Sequence, residues 1–266
     1  MPQGDDAPGR DPAPAVTRAV RLLGLLADAE GPRTLTELAA DLDVAKSSTA
    51  NLCLALEAAG MVARTPLGYR LGVRTAELGG AFAAQFNQVR EFYDVCDASP
   101  VLRGELVQIA VLDGADALYL ARHEGASPVR LGTPLGSRLP AALSAAGRAL
   151  LMAMPDEEVV ALLGEDAEFP ALTENSARRL PELLERLATA RSRGWALDEE
   201  GSLRGVVGVA VPLPGWAPYD PPLALGAAIP AGEAGYARIE RVGQALVEAA
   251  GALTNPFEAA TRGARA

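Results

Sequence analysis

The sequence predicts an α+β fold with an amino-terminal winged helix-turn-helix, a helical linker and a larger α/β domain. Two observations favour this class. The first 72 residues carry three short helical patterns, then two β-prone pieces separated by a turn signal. Beyond them, strand-like alternation and amphipathic helices are interspersed, as in a sheet covered by helices. With 266 residues, of which 49% are hydrophobic, the chain has enough apolar material for the cores of two modest domains.

The distribution of charge leaves nucleic-acid binding open. The formal net charge of −10 argues against it, because phosphate contacts depend on Lys and Arg. Residues 11–80, however, hold eight acidic and seven basic side chains, a net charge of −1, and most of the acidity lies beyond them. Charge alone therefore does not exclude DNA as a partner.

Other bulk features indicate a cytoplasmic protein without a membrane partner. No apolar run reaches the roughly 18 residues that a membrane-spanning helix needs. The amino terminus lacks the apolar region of a signal peptide. Cys53 and Cys96 are the only cysteines, which gives no sign of a disulfide framework.

Within residues 13–72, each element of the predicted winged helix has its own signal. A first helix over 16–27 places its apolar residues on one stripe. Thr34 and Glu37 form a capping box that opens a second helix over 35–42. A third helix begins near Lys46 and ends before Gly60, and strands over 61–65 and 69–72 flank a turn. The stripe of the first helix consists of Val16, Val20, Leu23, Leu26 and Ala27.

The third helix has the character of a recognition helix. Ser47 and Thr49 can donate to phosphates or base edges, and the amide of Asn51 can pair with adenine. Lys46, the only lysine of the chain, stands where the helix meets the DNA backbone. The predicted buried face consists of Ser48, Leu52, Ala55, Leu56 and Ala59. The candidate DNA contacts are Arg33, Lys46, Ser47, Ser48, Thr49, Asn51, Arg64, Tyr69 and Arg70. The alternative is a helical bundle used for dimerisation, with Ser47 and Ser48 as helix caps.

The larger domain is predicted from similar local signals. Strands over 104–112 and 115–123 form a hairpin around Asp113-Gly114, and 128–136 is a further extended piece. Ser144 caps a helix that runs to Met154. Further helices are predicted over 156–164, 176–193 (ended by Gly194) and 233–253, and buried strands over 205–213 and 222–230.

Several motifs, in order, resemble the IclR family of bacterial transcription regulators. Residues 34–72, "TLTELAADLDVAKSSTANLCLALEAAGMVARTPLGYRLG", resemble its pattern L-x-L-x-E-L-A, G-L-P-K-S-T and G-Y-R-L-G. Residues 136–151 and 191–213 resemble two further family motifs, so the resemblance runs from residue 15 to about 255. It implies a near-palindromic double-stranded DNA operator, a small-molecule effector, and a homodimer or dimer of dimers. The implied domains are a disordered tail (1–12), the winged helix-turn-helix (13–72), a linker helix (73–90), a GAF-like effector-binding domain (91–258) and a flexible tail (259–266).

The resemblance also implies an effector site. Family members that sense small acids hold the anion with backbone N–H groups, here those of Ala145 and Ala146, and with side chains of an aspartate, a cysteine and two serines. Asp198 matches the aspartate, whereas Gly208 stands at the cysteine and Gly226 and Ala228 at the serines. Ala142 replaces a family histidine.

These replacements predict an enlarged apolar cavity for an effector bulkier and less polar than glyoxylate or pyruvate, because selectivity for a small acid needs matched hydrogen bonds. Trp195, Trp216 and Tyr219 are expected near its mouth. The alternative is a collapsed cavity that has lost ligand sensing.

No enzyme chemistry is indicated. His123 is the only histidine, and we interpret it as a strand-end surface or interface residue rather than a metal ligand or catalytic base. We expect no metal and no cofactor. The favoured hypothesis is an effector-responsive regulator. The alternative is a small-molecule-binding or assembly protein whose winged helix no longer binds DNA, because basic charge is low and Asn51 stands where the family usually has arginine.

Overall fold

The computed structural model describes residues 11–125, 133–216 and 220–254. The chain divides into two compact units, with the boundary between Phe82 and Ala83. Among the described residues, no helix combines the length and apolar character needed to cross a membrane.

The first unit is a winged helix-turn-helix, as predicted. Its helices are α1 (Pro14–Ala27), α2 (Leu35–Leu42) and α3 (Lys46–Ala58), and its antiparallel strands are β1 (Val62–Thr65) and β2 (Gly68–Leu71). The capping box is confirmed, because Thr34 N–H donates to Glu37 Oε2 at 2.7 Å and Glu37 N–H donates to Thr34 Oγ1 at 3.3 Å. Asp43, at φ 55°, makes the tight turn between α2 and α3. Gly60, at φ 71°, follows the end of α3 as a C′ glycine.

Two predicted helix faces in this unit are only partly right: Leu23 and Leu26 of α1 and Leu52 and Leu56 of α3 pack in the core, whereas other residues of each face do not. Val16 and Val20 of α1 are 62% and 63% exposed, and Leu22 is fully buried in their place. In α3 the buried residues are Thr49 and Cys53, whereas three residues of the predicted face are exposed: Ser48, Ala55 and Ala59. The true face of α3 is thus turned by one residue, because α1 and α2 determine which side of a weakly amphipathic helix meets the core.

The linker is two helices rather than one. Helix α4 covers Val73–Ala83, and α5 covers Asn87–Ala98. Phe86 between them is extended (φ −97°, ψ 113°) and buried in the core of the second unit. Burial of this aromatic ring competes with helix continuation, so the single helix predicted over 73–90 is broken.

The described residues of the second unit form a six-stranded antiparallel sheet. Its strands are β3 (Leu106–Asp113), β4 (Asp116–Glu124), β5 (Arg138–Pro140), β6 (Ala196–Glu199), β7 (Val206–Leu213) and β8 (Leu223–Pro230). Their order across the sheet is β5-β4-β3-β8-β7-β6. The predicted hairpin is confirmed, with Asp113 opposite Asp116 at the turn. The remaining helices are α6 (Ala145–Met152), α7 (Asp156–Leu163), α8 (Leu180–Arg193) and α9 (Tyr236–Ala252).

Differences from the predicted bounds are local. Helix α8 begins four residues later than predicted, with Pro181 in its first turn, where proline is tolerated. Gly194, at φ 89°, ends it as predicted. Most of the extended piece predicted over 128–136 lies outside the described residues, as do most of the two predicted tails.

The two faces of the sheet differ in side-chain size. One face carries branched residues such as Val107, Ile109 and Val209, which pack against α5 and α9. The other carries small residues such as Ala110, Ala210 and Ala224, which pack against α6. Small side chains let a helix approach closely, and this brings the amino terminus of α6 onto the sheet.

Candidate DNA-binding surface and effector site

The amino terminus of α3 is exposed and has no side-chain cap. Its N-cap residue is Ala45, so Ser47 and Ser48 do not cap the helix, contrary to that detail of the dimerisation alternative. Lys46, Ser47, Ser48 and Asn51 are all exposed. The first N–H groups of a helix have no intrahelical acceptor, and an uncapped terminus with a lysine beside it is suited to a phosphate.

Two of the predicted DNA contacts are buried instead. Thr49 is 0% exposed, and its hydroxyl donates to Ala45 O at 3.3 Å. Tyr69 is 9% exposed and belongs to the core of the first unit. Its backbone exchanges two hydrogen bonds with Arg33, at 2.8 and 2.7 Å. The structure therefore contradicts both assignments, because the Thr49 hydroxyl is bonded within the helix and the Tyr69 ring belongs to the core.

The predicted arginines divide into two kinds. Arg33 lies 2.6 Å from Asp41 Oδ2 and 3.7 Å from Glu37 Oε2, so nearby carboxylates compensate its charge. Arg64 and Arg70 are exposed on the two strands of the wing. The Arg64 guanidinium lies 6.0 Å from the centre of the Tyr69 ring, and this contact helps to hold the Arg64 side chain at the surface.

All six predicted effector residues line one cavity in the second unit. They are Ala145, Ala146, Asp198, Gly208, Gly226 and Ala228. Asp198, Gly208 and Ala228 are neighbours across β6, β7 and β8, which explains how distant parts of the sequence meet. Ala145 and Ala146 begin α6 above this row, and both are buried.

The amino terminus of α6 supplies hydrogen-bond donors to the cavity. Ser144 Oγ caps the helix by accepting from Gly147 N–H at 3.1 Å. Within the described part of the chain, the N–H groups of Ala145 and Ala146 have no hydrogen-bond acceptor. Buried N–H groups without a partner are rare and costly, so a hydrogen-bond acceptor bound in the cavity would be stabilised by this pair.

Sequence reasoning missed several polar residues of the lining. Gln108 lies on β3, where its Nε2 donates to Thr133 O at 2.8 Å. Tyr119 lies on β4; burial raises the pKa of its hydroxyl, and hydrogen-bond interaction with Ser144 and Thr133 opposes that shift. Ser202 is also in the lining. Gln108 could have been identified from the sequence, since it is a polar residue inside an otherwise apolar strand.

Asp198 is largely engaged by the protein itself. Its Oδ1 accepts from Gly201 N–H at 2.7 Å, and its Oδ2 accepts from the N–H of Ser202 at 3.1 Å and from the Ser202 hydroxyl. Arg148 Nη1 lies 3.9 Å from Oδ1, and both side chains are buried. The carboxylate therefore holds the loop after β6 and forms one wall of the cavity.

The predicted enlargement of the cavity is wrong for the described residues. Its volume is ≈ 50 Å³, enough for a few water molecules and far below the roughly 300–1,000 Å³ of drug-sized ligand sites. A Cβ at Gly208 would lie 2.9 Å from Ala145 Cβ, and one at Gly226 would lie 3.2 Å from Ala210 Cβ. The space left by the missing side chains is thus filled by close packing.

Three aromatic residues were expected at the mouth of the effector cavity, and neither of the two that the structure describes lies there. Trp195 packs against Gly243 on the other side of the sheet, under the Arg193 guanidinium, which is 4.1 Å from its ring. Trp216 Nε1 donates to Leu253 O at 2.6 Å. Tyr219 lies outside the described residues.

His123 is buried, which corrects its interpretation as a surface residue. It is 8% exposed, and its Nε2 lies 2.9 Å from Asp97 Oδ1. Over the described ranges, no group of three or more His, Cys, Asp or Glu side chains is placed to hold a metal ion.

A winged helix-turn-helix unit followed by an α/β unit with a small cavity is an architecture typical of two-domain transcriptional regulators. Comparison with family models gives the particular family. Residues 15–66 match the IclR helix-turn-helix domain, and residues 95–254 match the bacterial transcriptional regulator IclR C-terminal domain. The chain belongs to the IclR family.

Individual relatives agree with this membership. The HTH-type transcriptional repressor AllR of Salmonella typhimurium LT2 is 30% identical over 196 residues, 73% of this chain and 72% of that protein. A solved IclR regulator of Alicyclobacillus acidocaldarius is 25% identical with a TM-score of 0.77, over 91% of this chain and 97% of that one. An IclR homologue of Microbacterium hydrocarbonoxydans, solved with 4-hydroxybenzoate, is 23% identical with a TM-score of 0.74, over 92% and 99% of the two chains. The relatives are regulators, which supports the interpretation that this protein is not an enzyme.

Proposed function

We propose that this protein binds an operator in double-stranded DNA through α3 and that a small organic acid in the α6 cavity controls its affinity. The observation that carries the DNA proposal is the exposed, uncapped amino terminus of α3, with Lys46, Ser47 and Asn51 on its open side. Lys46 and the helix N–H groups contact phosphates, and Asn51 reads a base edge in the major groove. Ser48, Arg64 and Arg70 add contacts around this centre.

A single recognition helix reads only a short half-site, so we propose a homodimer, or a dimer of dimers, on a near-palindromic operator. The exposed Val16 and Val20 of α1 support association with a second copy, because exposed apolar side chains on one helix favour a protein contact.

The effector proposal differs from the sequence expectation of a bulky ligand. The unpartnered N–H groups of Ala145 and Ala146 fit a carboxylate, and Tyr119 and Ser144 offer hydroxyls beside it. A cavity of ≈ 50 Å³ accommodates an acid of the size of glyoxylate or pyruvate better than an aromatic one. The solved relative holds 4-hydroxybenzoate, so an aromatic acid is the natural comparison ligand.

The DNA proposal is tested by mobility shift with the intergenic DNA upstream of the protein's own gene, in about 50 mM salt. We expect the double variant Lys46→Ala with Asn51→Ala to bind at least about ten-fold more weakly, because each base or phosphate contact is worth on the order of 1–3 kcal/mol. Arg241→Gln, an exposed change on α9, is the matched control and should bind like wild type.

Two results would contradict the proposal. One is a wild-type protein with no preference for this DNA over random sequence, with or without small acids. The other is a folded double variant that binds as tightly as wild type. Either would favour the alternative of an assembly protein whose winged helix no longer binds DNA.

A further inference from the structure

A second, larger cleft lies apart from the effector cavity. It is bounded by α8, by the loop over 173–178 and by β6, and its volume is ≈ 870 Å³. None of the six proposed effector residues lines it. This volume is in the range of sites that hold small organic ligands.

Guanidinium groups form the floor and sides of this cleft. Arg148, 1% exposed, belongs to the floor, and the half-buried Arg186 and Arg193 stand on α8 beside it. Arg148 Nε donates to Ala142 O at 2.9 Å, and Nη1 donates to Leu197 O at 2.7 Å. Its Nη2 has no hydrogen-bond partner among the residues that the structure describes. A buried charged donor without an acceptor is costly, and an anion held beside this guanidinium would lower that cost.

Nearby carboxylates only partly offset the cost of burying Arg148. Burial lowers the pKa of Arg148 to about 10; the charges of Asp198 and Glu199 oppose this shift, and those of Arg186 and Arg193 add to it. Asp198 lies 3.9 Å from Arg148 Nη1, and its oxygens already accept from Gly201 and Ser202. Arg148, Arg186 and Arg193 repel one another, and an anion bound beside them would reduce this repulsion.

The rim of the cleft is acidic, in contrast to its floor. Glu182, Glu185 and Glu199 are exposed around the opening, where their carboxylates can accept hydrogen bonds. A ligand that fits both parts has an anionic end at the floor and hydrogen-bond donors at the rim. We propose that the cleft is a second ligand site, for a small carboxylate that also carries hydroxyl or amino groups.

Calorimetric titration of the full chain in the absence of DNA tests this site, with L-malate and L-asparagine as probes and dimethyl malate as the neutral control. We expect saturable binding of at least one acid with a Kd of about 1 mM or tighter, and none of the ester. The variant Arg186→Gln with Arg193→Gln should weaken binding at least about ten-fold. Arg241→Gln on α9 should leave it unchanged.

A spectroscopic measurement keeps the test valid if the double variant unfolds. Because Arg193 stacks on Trp195, a carboxylate on Arg193 should change Trp195 emission in a Trp216→Phe protein whose cleft is intact.

Three outcomes overturn the site: no binding of either probe up to about 10 mM, binding that survives in the folded double variant, or binding lost on Tyr119→Phe in the effector cavity. Because no DNA is present, failure here leaves the operator proposal standing.

Discussion

At the scale of single residues, burial separates structural from functional polar groups. Thr49 and Asn51 are two positions apart on α3, and both have side chains that can bind DNA. The Thr49 hydroxyl is buried and bonded to Ala45 O, whereas Asn51 is exposed. The hydrogen-bonding capacity of Thr49 is therefore used within the protein.

This difference predicts opposite phenotypes. Thr49→Val, nearly the same shape, should lower the free energy of unfolding by about 1 kcal/mol through the lost hydrogen bond and leave operator affinity within about two-fold. Asn51→Ala should change stability little and weaken operator binding. Denaturant unfolding and mobility shift measure the two effects. A large loss of DNA affinity in folded Thr49→Val would mean that its hydroxyl reaches the DNA.

At the scale of elements, the approach of α6 to the sheet sets the size of the effector cavity. Gly208 on β7 allows this approach, because a Cβ there would lie 2.9 Å from Ala145 Cβ. The same contact brings the N–H groups of Ala145 and Ala146 over the row formed by Asp198, Gly208 and Ala228. One glycine thus couples packing to the geometry of the site.

Gly208→Ala should therefore destabilise the protein by about 1–3 kcal/mol, since it overpacks the contact between α6 and β7. Gly251→Ala is the matched control in the same unit, because it lies in α9 with nothing within 4 Å of an added Cβ. That change should be neutral or stabilising. Urea unfolding distinguishes the two, and equal stabilities for both variants would show that α6 is free to move away from the sheet.

At the scale of the whole molecule, the protein joins two compact units whose ligands are DNA and a small acid in our proposal. Coupling between two binding sites is reciprocal, so an acid that changes operator affinity must itself bind with a different affinity when DNA is present. The two units therefore have to be tested together as well as separately.

Glyoxylate or pyruvate should raise the melting temperature and shift operator affinity, while 4-hydroxybenzoate should do neither at equal concentration, because the cavity is too small for its ring. Gln108→Leu, which removes a polar group from the lining, should reduce the response to the acids. Thermal shift and mobility shift provide the readings. A response to 4-hydroxybenzoate alone would restore the bulkier effector expected from the sequence.

The sequence by itself determined the winged helix, most elements of the second unit and the family, but not β5, β6 or the break in the linker. Its strongest signals were local: the Thr34–Glu37 capping box, the turn at Gly114, the end of α8 at Gly194 and Ser144 at the start of α6. Each depends on hydrogen bonds or backbone angles within a few residues, so neighbouring sequence suffices to specify it. The residues proposed for the effector site also share one cavity, as the family resemblance implied.

Tertiary structure alone decided which side of a helix is buried and how much space a site contains. Thr49 and Tyr69 are buried by other elements, and burial of Phe86 breaks the linker. Gln108 and Tyr119 reach the cavity from separate strands, and Ala145 fills the space beside Gly208. Burial and cavity volume arise from contacts between residues distant in the chain, and local periodicity carries no information about how closely those partners pack.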